Sequence, residues 1–263
     1  MDRLKTFFLL LTVSLFFFST VAQAKPIQML IWYPGGEGDE EAAGPILNDF
    51  ANEVKQASNG KIELQITYSQ NPPTQLPFNP KQNPYAVGIV AYEVYLKYKI
   101  PLSLKPVAKT LPLPAGKDTE RYYIVGNTTT QIKDIGRWEL YTHRPYEKGF
   151  LLSLFPELAN YQNLQIKSTL NLIGTLKEIQ THNYYLVVLD AFSHTNLKNL
   201  NFPWVKSLVD IAVSKEIPSA PVVQFNESPE VDDLTKVLIS LKPTPVLKQL
   251  RLKGFFTIDG STP

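Results

Sequence analysis

The stretch Gln28–Tyr68, QMLIWYPGGEGDEEAAGPILNDFANEVKQASNGKIELQITY, decides the fold. It opens on an apolar run, Met29–Tyr33, followed by a glycine-rich, acidic turn over Pro34–Gly44. Apolar residues then fall at Ile46, Leu47, Phe50, Ala51, Val54 and Ala57. Their spacing of three and four places them on one helical face. Asn59-Gly60 is a turn signal, and Lys61–Tyr68 alternates with a period of two, as a half-exposed strand does. Strand, turn, helix, strand is a βαβ unit. Ligands of open α/β sheets bind at the carboxyl ends of such strands, so Tyr33, Gly35 and Gly36 become candidate cleft residues. Glycine there would let a ligand approach the backbone. The carboxylates Glu37, Asp39, Glu40 and Glu41 read as a solvated helix start, each worth about 0.3–1 kcal/mol beside the helix N-terminus.

Upstream, a basic start (Arg3, Lys5), an apolar run and Ala22-Gln23-Ala24 match the three regions of a secretory signal peptide ending at residue 24. The uninterrupted apolar core Phe7–Phe18 is 12 residues, short of the roughly 20 that span a bilayer. Cleavage would leave 239 of the 263 residues, with 24 basic and 23 acidic side chains. This balance gives no reason to expect nucleic acid, and after cleavage no membrane-spanning segment is expected. The chain has no cysteine, which excludes disulfides, thiolate chemistry and a lipid-anchored start. A chain of this size can rely on its core.

Downstream, Asn71–Pro84 holds five prolines in 14 residues and reads as a loop. Ala86–Ala91 is a strand, and Tyr92, Tyr95 and Tyr98 recur at helical spacing. A short strand over Leu104–Lys109 precedes the linker candidate Leu111–Thr119. Arg121–Gly126 and Trp138–Thr142 are strands, Ile132–Gly136 a turn, and Phe150–Leu158 a helical run. Thr169–Gln180 is helical by spacing. Tyr184–Leu189 is a continuous apolar run, as expected of a strand covered on both faces, and it ends on Asp190. Val205–Val213 and Ala220–Phe225 are strand candidates, with Ser214–Ser219 a second crossing between domains. Ser228-Pro229 and Thr244-Pro245 each place a capping hydroxyl before a first-turn proline, and Gly254 reads as a helix C-cap.

This order is carried most clearly by four passages: the opening strand and turn before the Ala42–Ser58 helix, Gly88–Ala108, Leu186–Ser193 and Leu247–Phe255. Together they resemble the phosphate/phosphonate-type periplasmic solute-binding proteins of ABC transporters. The resemblance implies the two-lobed α/β type II periplasmic binding fold, with mainly parallel sheets flanked by helices. One lobe would take 25–112 and 220–263, the other 113–219. A small polar ligand, possibly an oxyanion, would sit between them, and a permease would be the partner. The alternative is a sensor or accessory domain of the same fold that binds an envelope protein. A monomer in the periplasm is expected, with no cofactor and no metal.

The resemblance puts a ligand contact at Tyr92. By their position at strand ends, His143, Arg144 and Asp190 join the candidates. Arg144 offers a bidentate fork to an oxyanion, although Pro145 beside it lacks an N–H. Asp190 has a rival reading as a cap formed by its own carboxylate. Enzymatic activity is not expected. The three histidines, His143, His182 and His194, show no metal-ligand spacing, and no complete catalytic motif is present.

Overall fold

A computed structural model describes residues 26–34, 40–70, 83–130, 139–161, 163–182 and 184–258. The expected signal peptide, Gly35 and Gly36, most of the proline-rich loop and the turn at Ile132–Gly136 lie outside them.

The first six-stranded sheet has the order β13-β4-β12-β3-β1-β2. Its strands are β1 (Ile27–Trp32), β2 (Leu64–Ser69), β3 (Val87–Val90), β4 (Lys105–Pro112), β12 (Pro221–Gln224) and β13 (Leu252–Thr257). The second sheet, with five strands, has the order β10-β6-β9-β7-β8. It is built from β6 (Tyr122–Asn127), β7 (Glu139–Thr142), β8 (Gln165–Ser168), β9 (Tyr185–Asp190) and β10 (Leu208–Val213). The chain passes between the sheets twice. The two passages pair as a short antiparallel ribbon, β5 (Thr119–Glu120) with β11 (Ile217–Pro218), in which Ile217 faces Glu120.

The helices are α1 (Glu40–Ala57), α2 (Tyr92–Tyr98), α3 (Lys148–Leu154), α4 (Leu172–Glu178), α5 (Ala191–Asn199), α6 (Pro229–Ser240) and α7 (Pro245–Gln249). Strand alternation sends side chains to two cores. In β1, Met29 and Ile31 pack with Phe50 and Val54 of α1 and Leu234 of α6, whereas Leu30 and Trp32 pack with Val94 and Phe225 on the other face. In β9, Leu186 and Val188 join Phe155 and Leu158, while Val187 and Leu189 join Leu176 and Ile179. A strand covered on both faces reads as an unbroken apolar run, which is what Tyr185–Leu189 is.

Several expectations are corrected by particular residues. The sheets are mixed rather than mainly parallel. β1 runs parallel to β2 and β3, and β7 to β8 and β9. The strands that lead into or out of the passages (β4, β6, β10 and β12), together with the terminal β13, pair antiparallel. The chain leaves the first sheet through one passage and returns through the other, so β4 and β12 run in opposite senses in the first sheet, as β6 and β10 do in the second.

The helix expected over Ala42–Ser58 starts two residues earlier, at Glu40. Glu40, Glu41 and Gly44 are helical, and Pro45 is tolerated because it stands near the start, where few intrahelical bonds are lost. The expected linker at Leu111 is still strand β4 through Pro112. The helical run from Phe150 to Leu158 breaks after Leu154, since Pro156 has no N–H to continue it and opens a 3-10 turn instead. Pro203 does the same before β10, so the strand expected from Val205 begins at Leu208. Gly254 is not a helix cap but a residue of β13; the chain leaves α7 through Arg251, whose φ is 60°. At Asn59-Gly60 the turn signal holds, with φ of 55° and 78°. No described helix is long and apolar enough to cross a membrane.

Candidate functional site

Three strand tips meet between the sheets. Tyr33 follows β1, His143 and Arg144 follow β7, and Asp190 ends β9. The Arg144 guanidinium reaches across to the first sheet and lies 5.4 Å from the centre of the Tyr33 ring. On its own side its Nη2 stands 3.4 Å from Asp190 Oδ2. His143 Nε2 is also 3.4 Å from Asp190 Oδ2, without hydrogen-bond geometry. The other oxygen, Asp190 Oδ1, accepts from the Ser193 amide at 2.7 Å and caps α5. The capping reading of Asp190 is therefore realised by Oδ1, while Oδ2 holds Arg144.

Burial sets the electrostatics. Taking the Asp190 carboxyl out of water would push it up, but His143, Arg144 and the Ser193 amide outweigh that and hold it far below the usual carboxylate range. Glu120, on the ribbon between the sheets, has no such compensation. Burial and the neighbouring charge of Asp190 push its carboxyl up to about 7, against the pull of Arg144. Burial raises the Glu93 carboxyl too, again against Arg144. The Tyr33 phenol is raised by burial and by Glu120. One guanidinium thus stands among three carboxyl groups. Several buried polar atoms here have no hydrogen-bond partner among the described residues: Glu93 Oε1, Arg144 Nε, both ring nitrogens of His143 and the Tyr146 hydroxyl. Such atoms are rare in folded proteins and cluster where something else is to be bound.

Four of the residues described above border a cavity of about 230 Å³ between the two sheets. Its polar wall is Tyr33, Glu120, Arg144 and Asp190; its apolar wall is built by Ile31, Ala43, Leu47, Phe192 and Leu250, among others. Arg251 joins the wall from the first sheet's side and covers the Phe192 ring at 4.6 Å. Lys97 of α2 pairs with Glu147 before α3, so the two halves also touch at the rim.

Of the residues singled out by sequence, Tyr33, His143, Arg144 and Asp190 come together here. Tyr92 does not line the cavity. It packs against the apolar core of the second sheet, 6.3 Å from the Tyr95 ring, because the helix it opens turns it away from the strand tips. Gly35 and Gly36 lie outside the described residues. Sequence reasoning missed Glu93, Glu120 and Phe192. Glu93 had one available signal, an acidic residue directly after a buried strand and at a helix start. Glu120 fell between the linker candidate Leu111–Thr119 and the strand read from Arg121, and was assigned to neither. Among the described residues no group of three His, Asp or Glu side chains is placed to hold a metal ion.

Compared by sequence, the chain matches no family model and no curated protein. Compared by structure, it is similar to a binding component of a phosphonate ABC transporter from Pseudomonas aeruginosa. Identity is 10%, coverage is 90% of this chain and 82% of that one, and the TM-score is 0.61. It is similar to a Xanthomonas citri protein solved with ATP (12% identity, 90% and 93% covered, TM-score 0.69). It is also similar to a Prochlorococcus marinus protein in complex with methylphosphonate (11% identity, 90% and 94% covered, TM-score 0.60). At these identities the likeness is one of fold. The chain has the two-lobed α/β type II periplasmic binding fold, the fold of phosphonate-type ABC transporter binding proteins.

Proposed function

We propose that the chain is a solute-binding protein of an ABC-type uptake system, taking a small polar molecule into the cavity between its two lobes. In this reading 25–112 and 220–263 form one lobe, 113–219 the other, and residues 1–24 direct a monomer to the periplasm. One observation carries it. The carboxyl ends of β1, β7 and β9, drawn from both sheets, converge on a single cavity edged by buried charge. That is where open α/β sheets place their ligands. The chemistry of the site agrees. Arg144 and Asp190 restrain each other as a preformed pair, and nearby buried polar atoms still lack partners, so a ligand supplying donors and acceptors would find them already oriented. The paired passages β5 and β11 are a natural hinge about which the lobes would close over solute. The solved proteins of this fold that carry methylphosphonate or serve a phosphonate transporter support a transport role.

A thermal-shift screen of phosphonates, amino acids, amines and nucleotides tests this reading. A true solute at a hundred times its Kd stabilises the folded state by about 2.7 kcal/mol, a shift of several degrees. If every class leaves the melting temperature of the folded protein unchanged, solute binding is wrong.

A further inference from the structure

We propose, on the basis of the solute-binding reading above, that the ligand is a small amine: its ammonium group is received by the Glu120 carboxylate, and its apolar body lies against Ile31, Leu47, Phe192 and Leu250. The argument starts from which charges on the wall are already engaged. Arg144 is held by Asp190 and covered by Tyr33. Arg251 is spread over Phe192 and has a further partner. Asp190 is held through both oxygens. Glu120 makes no hydrogen bond or ion pair with any described residue, yet it is largely withdrawn from water and borders the cavity. A carboxylate in that position costs free energy until a cation meets it.

An oxyanion finds the opposite situation. Arg144 is already tied to Asp190, Arg251 lies over Phe192 and has a further partner, and Pro145 removes one backbone donor from the turn that would cradle it. It would also stand beside Glu120, with Asp190 and Glu93 behind. The rest of the wall sets the second half of the ligand. Beyond the polar edge the cavity is faced mainly by aliphatic side chains of β1 and α1, by Phe192 and by Leu250, with Tyr68, Gln249 and Arg251 as the polar side chains among them. At about 230 Å³ the cavity is smaller than the ~300–1,000 Å³ of drug-sized ligand pockets, which favours a small ligand. A monoamine with a short alkyl chain or one aromatic ring fills this description.

Isothermal calorimetry on the mature full chain tests the proposal, with butylamine and benzylamine as cationic probes. Butanol serves as the neutral match, and methylphosphonate and inorganic phosphate as anions. The expected result is binding of the amines alone, weakened at least tenfold in Glu120→Gln. In the unaltered protein, amine affinity also falls severalfold from pH 8 to pH 6. Glu120 takes up a proton across that range, while the charges facing it (Asp190, Arg144 and Glu93) impose its environment. This pH titration needs no variant, so it decides the matter even if the substituted protein folds poorly. Binding of phosphate or methylphosphonate, unchanged or tightened in Glu120→Gln, overturns the amine assignment and leaves solute binding standing. Amine binding indifferent to both Glu120→Gln and pH also overturns it. Silence from every probe here and in the wider screen overturns both.

Discussion

Arg144 and Tyr33 belong to different sheets, and the guanidinium carbon of the first lies 5.4 Å from the ring centre of the second. Such a contact is worth about 0.5–2 kcal/mol, more as water is removed. It joins the two halves at the point where the same arginine is tied to Asp190. Arg144 is thus at once part of the candidate site and a connector between the lobes.

Removing this charge while keeping its apolar stem strands a buried carboxylate. Arg144→Met should destabilise the protein by on the order of 3–5 kcal/mol, read from urea unfolding. Asp190→Asn keeps an oxygen for the α5 cap. The double variant Arg144→Met/Asp190→Asn should then be markedly more stable than the sum of the two single losses allows. Strict additivity would mean that the two side chains do not act as a pair.

Stability should pass through a maximum at about pH 4. Two opposed groups set it. The folded-state carboxyl of Glu120 is raised from its ordinary value of 4.5 to about 7. Between those values the folded chain holds a proton that the unfolded chain has lost, so stability falls as pH rises through that window. Asp190 is depressed in the folded state, so its contribution is complete above its unfolded value and is lost as pH falls below about 4. Glu120→Gln should flatten the arm between pH 5 and pH 7. It should also raise the melting temperature at pH 8, by about 2–4 °C for each kcal/mol of relieved strain. An unchanged pH profile in this variant would contradict the burial of Glu120.

At the rim, Lys97 and Glu147 link α2 to the segment before α3 with both side chains about half exposed. Exposed pairs contribute about 0.2–1 kcal/mol. Lys97→Glu replaces attraction with repulsion. It should leave unfolding nearly unaltered but shift the population between closed and open lobes up to about fivefold. Small-angle scattering should register this as a larger radius of gyration, and more so at low salt, where screening is weak.

Gly88 of β3 tests the packing behind the site. A Cβ there would stand 2.8 Å from the Leu30 carbonyl oxygen and 2.8 Å from the Phe225 ring. Backbone on one side cannot yield, so Gly88→Ala should cost about 1–3 kcal/mol by overpacking. Circular dichroism during thermal melting would show it, and a melting temperature equal to that of the parent would refute the close approach.

The strands and helices were largely legible because their signals are local. Met29–Tyr33 and Tyr184–Leu189 are apolar runs, and α1 carries its pattern in Leu47, Phe50 and Val54, the residues it buries. Errors fell where a single residue overrode a pattern, as Pro156 and Pro203 did, or where a short edge strand such as β8 lacked any apolar run. The site was half legible. Position at strand ends singled out Tyr33, Arg144 and Asp190, which line the cavity, and His143 beside Asp190, whereas the resemblance added Tyr92, whose ring packs against the second sheet's core.

By itself, the sequence determined the alternation of strand and helix, the polar residues at the strand tips and the absence of thiol chemistry, all properties of neighbours along the chain. Only the tertiary structure decided which charges are satisfied. Arg144 and Asp190 are 46 residues apart and meet because β7 and β9 are parallel neighbours in one sheet. Glu120 makes no ion pair with a described residue, since Arg144, the cation that acts on it, is already tied to Asp190. Pairing and desolvation depend on distance through space, and the order of residues along a chain does not contain that distance until the sheets are assembled.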